Sequence, residues 1–267
     1  MFVANIQGVR LFRVPALKDN YVFLLATEGE CVAIDPSEAS PVERILGELG
    51  VTLTQVWNTH HHWDHTGGNE ELKQLYSCKI FSPDKEKDKI PGCDVGVSDD
   101  SEVKLGTHSF SVMELPGHTS FHVAYYSSRL KLLFCGDVLF AMGCGRLFEG
   151  TAQEMFKSLD RLRKLPDDTL VCCGHEYSLG HAAFSLEIDP DNDDLKRRAE
   201  NIRERRKKGE ATVPFLLREE KATYPFLRPE SPSIRAKLKL ETSGPLKVFT
   251  ELRRRKDVWR NREASRV

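Results

Sequence analysis

Thr59-His60-His61-His62-Trp63-Asp64-His65 follows the apolar run Gln55-Val56-Trp57-Asn58 and leads into Gly67-Gly68. Four histidines and an aspartate in six consecutive residues do not suit a core. Burying so many imidazoles and a carboxylate without partners costs far more than the burial returns. An exposed tag-like tract would sit at a terminus, whereas this one lies between a strand and a glycine turn. Metal coordination is the reading that remains. In an extended strand end alternate side chains point the same way, so His60 and His62 converge on one ion while His61 points elsewhere. Asp64 and His65 lie past the strand end, within reach of a second ion beside the first. Imidazole nitrogen and carboxylate oxygen are ligands that zinc prefers and that iron and manganese accept.

So short a motif does not saturate two ions, so further ligands are expected at later strand ends. Three candidates stand there. His118 follows Ser109-Phe110-Ser111-Val112-Met113-Glu114-Leu115-Pro116-Gly117, Asp137 ends Lys131-Leu132-Leu133-Phe134-Cys135-Gly136, and His175 ends Thr169-Leu170-Val171-Cys172-Cys173-Gly174. Each comes directly after a glycine, which lets backbone approach closely. One Gly-His pair would read as an ordinary turn, but three such sites behind an H-x-H-x-D-H motif do not.

Around these sites the chain alternates β-rich runs with turns. Strands are predicted at 9–14, 21–26, 31–34, 55–58, 79–82, 109–115, 122–127, 131–135 and 169–173, several as continuous apolar runs that suit strands covered on both faces. Helical patterns interleave at 41–49, 69–76 and 152–165, the last opened by a capping box, Thr151 with Glu154. After about Tyr177 the strand signals stop, and 195–208, 233–240 and 245–258 read as helices punctuated by Pro214, Pro225, Pro229 and Pro232. The expectation is an α/β main domain at 1–176 and a helical C-terminal subdomain at 177–267.

Bulk composition excludes more than it selects. In 267 residues, 39 lysines and arginines balance 40 acidic residues, so global charge favours no nucleic-acid partner. The basic run from Lys196 to Lys208 includes Glu200 and Glu204 and reads as a solvated helix face. No apolar stretch is long enough to span a membrane, and the N-terminal segment lacks the pattern of a secretory leader. Seven scattered cysteines without a C-x-x-C pair fit a reduced cytoplasmic protein.

Taken together, the ligand motif and the strand-end sites resemble the metallo-β-lactamase superfamily almost end to end. That resemblance implies an αββα sandwich of two mixed sheets with the metals at one edge. It implies His60, His62 and His118 on the first metal, Asp64, His65 and His175 on the second, and Asp137 bridging them. His61, His108, His122 and His181 are not expected to be ligands, although His122 belongs to a strand beside the site. Two ions can acidify a shared water to a pKa of about 7, which puts hydrolysis of an acyl bond in view, with Asp64 and Asp137 as the catalytic carboxylates. The metals alone do not choose the bond.

Three further segments resemble the glyoxalase II (hydroxyacylglutathione hydrolase) branch. Gly143-Cys144-Gly145-Arg146-Leu147-Phe148-Glu149-Gly150-Thr151 is similar to its substrate loop, His175-Glu176-Tyr177 to its GHEY, and Arg253-Arg254-Arg255-Lys256-Asp257 to its R-R-x-K-D. The resemblance makes Arg146, Leu147, Phe148, His175, Tyr177, Arg253 and Lys256 substrate contacts, with Arg253 and Lys256 gripping a glycine carboxylate. It implies a monomer that hydrolyses S-D-lactoylglutathione by a metal-bridging hydroxide. The chain differs from the usual pattern at Phe148, Phe121 and Tyr224. A persulfide dioxygenase, a nuclease, a β-lactamase and a metal-binding relative without turnover are the alternatives.

Overall fold

The computed structural model describes residues 1–264, so the last three residues of the expected 177–267 segment lie outside it. Strands β1 (Phe2–Ile6), β2 (Val9–Ala16), β3 (Asn20–Ala26), β4 (Glu30–Ile34), β5 (Thr52–Trp57), β6 (Lys79–Pro83) and β7 (Val95–Val97) form one sheet in chain order. Strands β1 to β4 pair antiparallel and β4 to β7 parallel. A second sheet begins with β8 (Glu102–Leu105), β9 (His108–Glu114), β10 (Val123–Ser127) and β11 (Leu132–Gly136). A small hairpin, β12 (Leu139–Phe140) with β13 (Gly143–Cys144), then leaves it, and β14 (Leu170–Cys173) and β15 (Phe215–Leu216) complete the order β15-β14-β11-β10-β9-β8.

Strand β3 shows why the sheets stack. Side chains alternate across a strand, and both faces of this one are apolar. Tyr21, Phe23 and Leu25 enter the layer between the sheets, whereas Val22, Leu24 and Ala26 face the other way. Strand β4 repeats the division with Val32 and Ile34 against Cys31 and Ala33. Across the middle layer Trp57 meets Phe110 at 5.1 Å between ring centres, and Phe23 meets Phe134 at 5.7 Å.

Helices cover the outer faces. Against the first sheet, α1 (Ala39–Leu49) contributes Val42, Ile45 and Leu46; a short turn, α2 (Trp63–Thr66), follows the histidine motif; and α3 (Asn69–Tyr76) adds Leu72. On the other side α4 (Ala152–Arg163) packs through Met155, Leu159 and Leu162. Its expected capping box is present, with Thr151 Oγ1 accepting from Glu154 N at 3.2 Å and Thr151 N donating to Glu154 Oε2 at 2.7 Å. The C-terminal part adds α5 (Ser178–Ile188), α6 (Asp193–Lys207), α7 (Leu217–Thr223), α8 (Pro232–Leu238) and α9 (Pro245–Ala264).

All nine predicted strands are present. One expectation needs correction: strands do not stop at Tyr177, because Phe215 and Leu216 pair with Val171 and Leu170 of β14. Two residues between Pro214 and a helix carry no periodicity to read. Helix α5 also escaped prediction, since Ser178-Leu179-Gly180-His181 is a weak helix opening.

The strand ends gather at one edge. Val123 N donates to Thr59 O at 2.8 Å, Tyr21 N to Gly174 O at 2.8 Å, and Gly174 N to Gly136 O at 3.0 Å. These bonds bring the ends of β5, β11 and β14 and the β2–β3 turn to one place.

Candidate metal centre

Strand β5 stops at Trp57, and the chain after it bends so that His60 and His62 converge. His60 Nε2 lies 3.0 Å from His62 Nδ1, and His118 Nε2 lies 3.0 Å from that same nitrogen. On the other side His65 Nε2 and His175 Nε2 are 3.2 Å apart, with Asp64 Oδ2 3.4 Å from His175. Asp137 stands between the groups, Oδ1 3.4 Å from His65 Nε2 and Oδ2 3.4 Å from His118 Nε2. The seven positions named from sequence therefore meet in one cluster. His60, His62 and His118 form one set able to hold an ion, and Asp64, His65 and His175 form another.

Hydrogen bonds to the far side of each ring decide which nitrogen faces inward. Asp35 Oδ2 accepts from His65 Nδ1 at 3.1 Å, and Asp19 Oδ1 accepts from His175 Nδ1 at 2.9 Å. Carboxylate and carbonyl oxygens only accept, so those nitrogens carry the protons. The Arg146 carbonyl does the same for His118 Nδ1 at 2.8 Å. Thr59 Oγ1 donates to Asp35 Oδ2 at 2.7 Å and receives His60 Nδ1 at 3.0 Å. The inward Nε2 atoms of His60, His65, His118 and His175 are left as bare lone pairs. Pointing lone pairs at one another near 3 Å is unfavourable without a cation between them. Asp137 Oδ1 is buried with no hydrogen-bond partner. The donor set fits divalent metal ions, and four of its five histidines, His60, His65, His118 and His175, are braced from outside as metal-ligating imidazoles usually are.

The two sets titrate in opposite directions: His60, His62 and His118 are held low, whereas neighbouring carboxylates raise His65 and His175 and so favour positive charge there. Burial, followed by the neighbouring imidazoles, holds His60 well below the usual histidine range and His62 at about 4. Burial alone would raise Asp137, but His175 and His65 overrule it and hold it low. Burial would lower His175, yet Asp137 and the carboxylates of Asp19 and Asp64 push it up.

All three expected glycines matter sterically, Gly117 because a Cβ there would lie 2.7 Å from Met155 Cβ. Gly136 has φ +46°, and a Cβ there would lie 2.2 Å from Thr59 Oγ1; a Cβ at Gly174 would lie 2.6 Å from His65 Cε1. His61 turns away from the ligands to Glu86 at 3.0 Å and Glu149 at 3.4 Å. His122 stacks on His60 at 4.7 Å, and its Nε2 accepts from Asp137 N at 3.2 Å. The bracing residues Asp19, Asp35 and Thr59 escaped the sequence reading. Asp35 ends Val32-Ala33-Ile34 just as Asp137 ends its own apolar strand, so the same signal was available.

A cavity of about 750 Å³ opens over the cluster, and Arg146, Phe148, His175, Tyr177, Arg253 and Lys256 all line it. Leu147 packs instead against the hydrophobic core. Phe148 stands edge-on to His118 at 5.3 Å, with the Arg146 guanidinium over its ring at 5.2 Å. Tyr177 lies flat on His175, ring centres 4.7 Å apart and planes 7° from parallel. Arg253 is 5% exposed and Lys256 7%. Asp257 Oδ1 holds the Arg253 guanidinium at 2.7 Å, and Lys256 Nζ donates to Gly180 O at 3.1 Å. Tyr224 is fully buried and stacked on Phe226.

Comparison with known proteins points one way. The family model of the metallo-beta-lactamase superfamily matches residues 17–175, and that of the hydroxyacylglutathione hydrolase C-terminus matches residues 176–259. The hydroxyacylglutathione hydrolase of Methylococcus capsulatus is 49% identical over 94% of this chain and 99% of its own length. That of Maricaulis maris is 46% identical over 92% of this chain and 96% of its own. Among solved structures, ETHE1 from Myxococcus xanthus superposes with a TM-score of 0.62 at 26% identity, covering 94% of this chain and 99% of that one.

Proposed function

Because the chain belongs to the metallo-β-lactamase superfamily and, within it, to the hydroxyacylglutathione hydrolases, we propose that it cleaves S-D-lactoylglutathione and similar hydroxyacylglutathiones to a hydroxy acid and glutathione. The observation that carries this reading is one cavity holding both the converging lone pairs and a buried pair of cations. In this reading His60, His62 and His118 would hold one ion and Asp64, His65 and His175 another, with Asp137 able to serve both. Zinc is the first choice for this nitrogen and oxygen set, with iron and manganese as alternatives. Two such ions, when bound, supply a water acidified to a pKa of about 7 and polarise the thioester carbonyl.

Residues 1–176 then carry the metals, and 177–267 carry the grip on the thiol carrier. Arg253 and Lys256 lie three apart on α9 and so on one face. Buried cations gain most from an anion that replaces their lost hydration, and the glycine carboxylate of glutathione supplies one. Burial pushes the Tyr177 phenol up to about 12, so it stays a hydrogen-bond donor at neutral pH beside the metals. Phe148 offers the substrate only its ring. The leaving thiolate needs no strong acid, since a cysteine thiol has a pKa of about 8.5, and Asp64 and Asp137 are both held low and ionised.

The partner is a small molecule. Much of the charged run of α6 is paired within the helix, Lys196 with Asp193, Arg197 with Asp194 and Arg203 with Glu200, which fits a solvated face rather than a nucleic-acid surface. All seven cysteines are free thiols, which suits a reducing compartment; in this reading the enzyme is cytoplasmic and works as a monomer. Among the described residues no helix is long and apolar enough to cross a membrane.

Metal-loaded protein assayed with S-D-lactoylglutathione, a β-lactam and a tRNA precursor tests the reading. Thioester turnover alone is expected, and Asp64→Ala or His118→Ala should abolish it. Normal metal content without thioester hydrolysis would sink the proposal.

A further inference from the structure

The cavity wall holds a charged corner used neither by the metal centre nor by the Arg253–Lys256 pair. The Glu176 side chain is 5% exposed, and its carboxylate is already full. Oε2 accepts from Tyr21 Oη at 3.0 Å and Thr212 N at 2.7 Å, while Oε1 accepts from Ser178 Oγ at 2.5 Å and Thr212 Oγ1 at 2.6 Å. A carboxylate offers about four lone-pair sites, so four bonds saturate it. Arg206, near the end of α6, stands 3.6 Å from Glu176 Oε2, beyond hydrogen-bond length. Its Nη1 donates to Glu210 O at 2.9 Å. The side chain is 27% exposed and lines the cavity. Most of the five donors of this planar fork, whose shape matches a carboxylate, therefore remain for a ligand.

Charge at this corner is unbalanced. Arg13 lies over the Tyr21 ring at 5.1 Å and feels both Glu176 and Arg205. Arg13 and Arg205 spend their guanidiniums on the carbonyls of Val213 and Ala211, neither of which cancels a charge. Arg13 and Arg206 both act on the Glu176 carboxylate, and Arg205 adds further positive charge beside Arg13. An anion entering from the cavity would correct the imbalance.

We infer that Arg206 docks the second carboxylate of the glutathione thioester, the α-carboxylate of its γ-glutamyl end. This rests on the hydroxyacylglutathione reading above. The tripeptide carries a carboxylate at each end with the sulfur between them. The cavity wall offers a cation for each: Arg206 beside Glu176 and Lys256 on the Gly180 carbonyl, four residues apart on a stretch that also carries His175 of the metal cluster. All the residues from His175 to Gly180 line the cavity. Arg146 is the rival cation, but it stands over Phe148 on the side of His118.

A substrate-truncation cycle tests the assignment. Wild type, Arg206→Ala and Arg146→Ala are each assayed with S-lactoylglutathione and with S-lactoyl-N-acetyl-cysteinylglycine, in which an acetyl cap replaces the γ-glutamyl group and keeps the cysteine nitrogen from taking the acyl group. Removing that group should cost the wild type about tenfold in kcat/KM, the size of one charge-assisted hydrogen bond, and the loss should fall on KM. Arg206→Ala should lose the same factor on the full substrate and treat the two thioesters alike, while Arg206→Lys recovers part of the preference. If Arg206→Ala still discriminates as the wild type does, or if only Arg146→Ala loses the preference, the subsite is wrong while the hydrolase reading stands. Wild type that turns over neither thioester overturns both.

Discussion

Asp35 offers His65 nothing but acceptors, and that limitation decides which imidazole nitrogen faces the metal. Both oxygens are engaged, Oδ1 by Thr59 N at 2.7 Å and Oδ2 by Thr59 Oγ1 and His65 Nδ1. Asp35→Asn keeps the shape but can turn a donor toward His65, favouring the tautomer whose lone pair points outward. Affinity for an ion held by His65 should then fall about 10–100-fold, the usual effect of losing such a brace, with a smaller loss at the His60 set, which the same oxygen braces through Thr59. Chelator competition with metal counting checks this, and two equally tight ions in the variant would show that His65 is oriented by something else. The ligands themselves were legible because a chelating residue after an apolar strand is chemically conspicuous. Their braces were less so: Asp19 lies in a β2–β3 turn with no pattern around it, and Thr59 becomes meaningful only once His60 and Asp35 are seen to touch it.

Between strand β11, which leads into the candidate ligand Asp137, and the loop of Arg146, the hairpin β12–β13 turns at Met142, a non-glycine residue at φ +59°. Helical elements hold that turn. The Met142 side chain packs among Leu195, Ala199 and Ile202 of α6, and its N–H donates to Glu220 Oε2 of α7 at 2.9 Å. Arg198 of α6 pairs with the same carboxylate. Burial outweighs the attraction of Arg198 and pushes Glu220 up to about 7 from an ordinary 4.5. The folded chain thus retains a proton that the unfolded chain releases between those values, so this group costs stability as pH rises through the window. Glu220→Gln stays neutral and keeps an acceptor for Met142. Its melting temperature relative to the wild type should climb from about pH 5 to about pH 7.5 and then level off; a flat difference would mean that Glu220 titrates normally. Helix α9 makes the companion case for substrate. Arg253→Ala with Lys256→Ala should raise KM for the glutathione thioester far more than it lowers kcat, and an unchanged KM would remove both from the site. The face of α9 was readable from sequence as a three-residue spacing. The Met142 turn was not, because what stabilises it lies 78 residues away at Glu220.

On the scale of the whole molecule, the two expected segments share one interior. Val248, Phe249 and Leu252 of α9 belong to the same apolar cluster as Phe23 of the first sheet and Phe134 of the second. Strand β15 pairs with β14, so the C-terminal segment also closes an edge of the catalytic sheet. Periodicity along a chain reports the face each element buries but not the partner that covers it, and for that reason the sequence suggested a boundary near Tyr177 without suggesting how much crosses it. A division of labour at that point need not be a division of folding. Cutting after Glu176 would strip the cover from α4, whose Phe156 meets Phe249 edge-on at 5.6 Å, and would leave β14 as an unpaired edge, which invites association. It would also remove Glu220 from Met142 and Arg253 from the carbonyls of Cys144 and Gly145. The fragment 1–176 is therefore expected to aggregate, or to melt without cooperativity, even with metal supplied. Phe249→Ala in the full chain should cost about 3–5 kcal/mol, the usual penalty for emptying an aromatic core site. Size-exclusion chromatography and thermal melts decide the point, and a monomeric 1–176 fragment with a sharp melt would show that the N-terminal layers fold without the helices that here complete them.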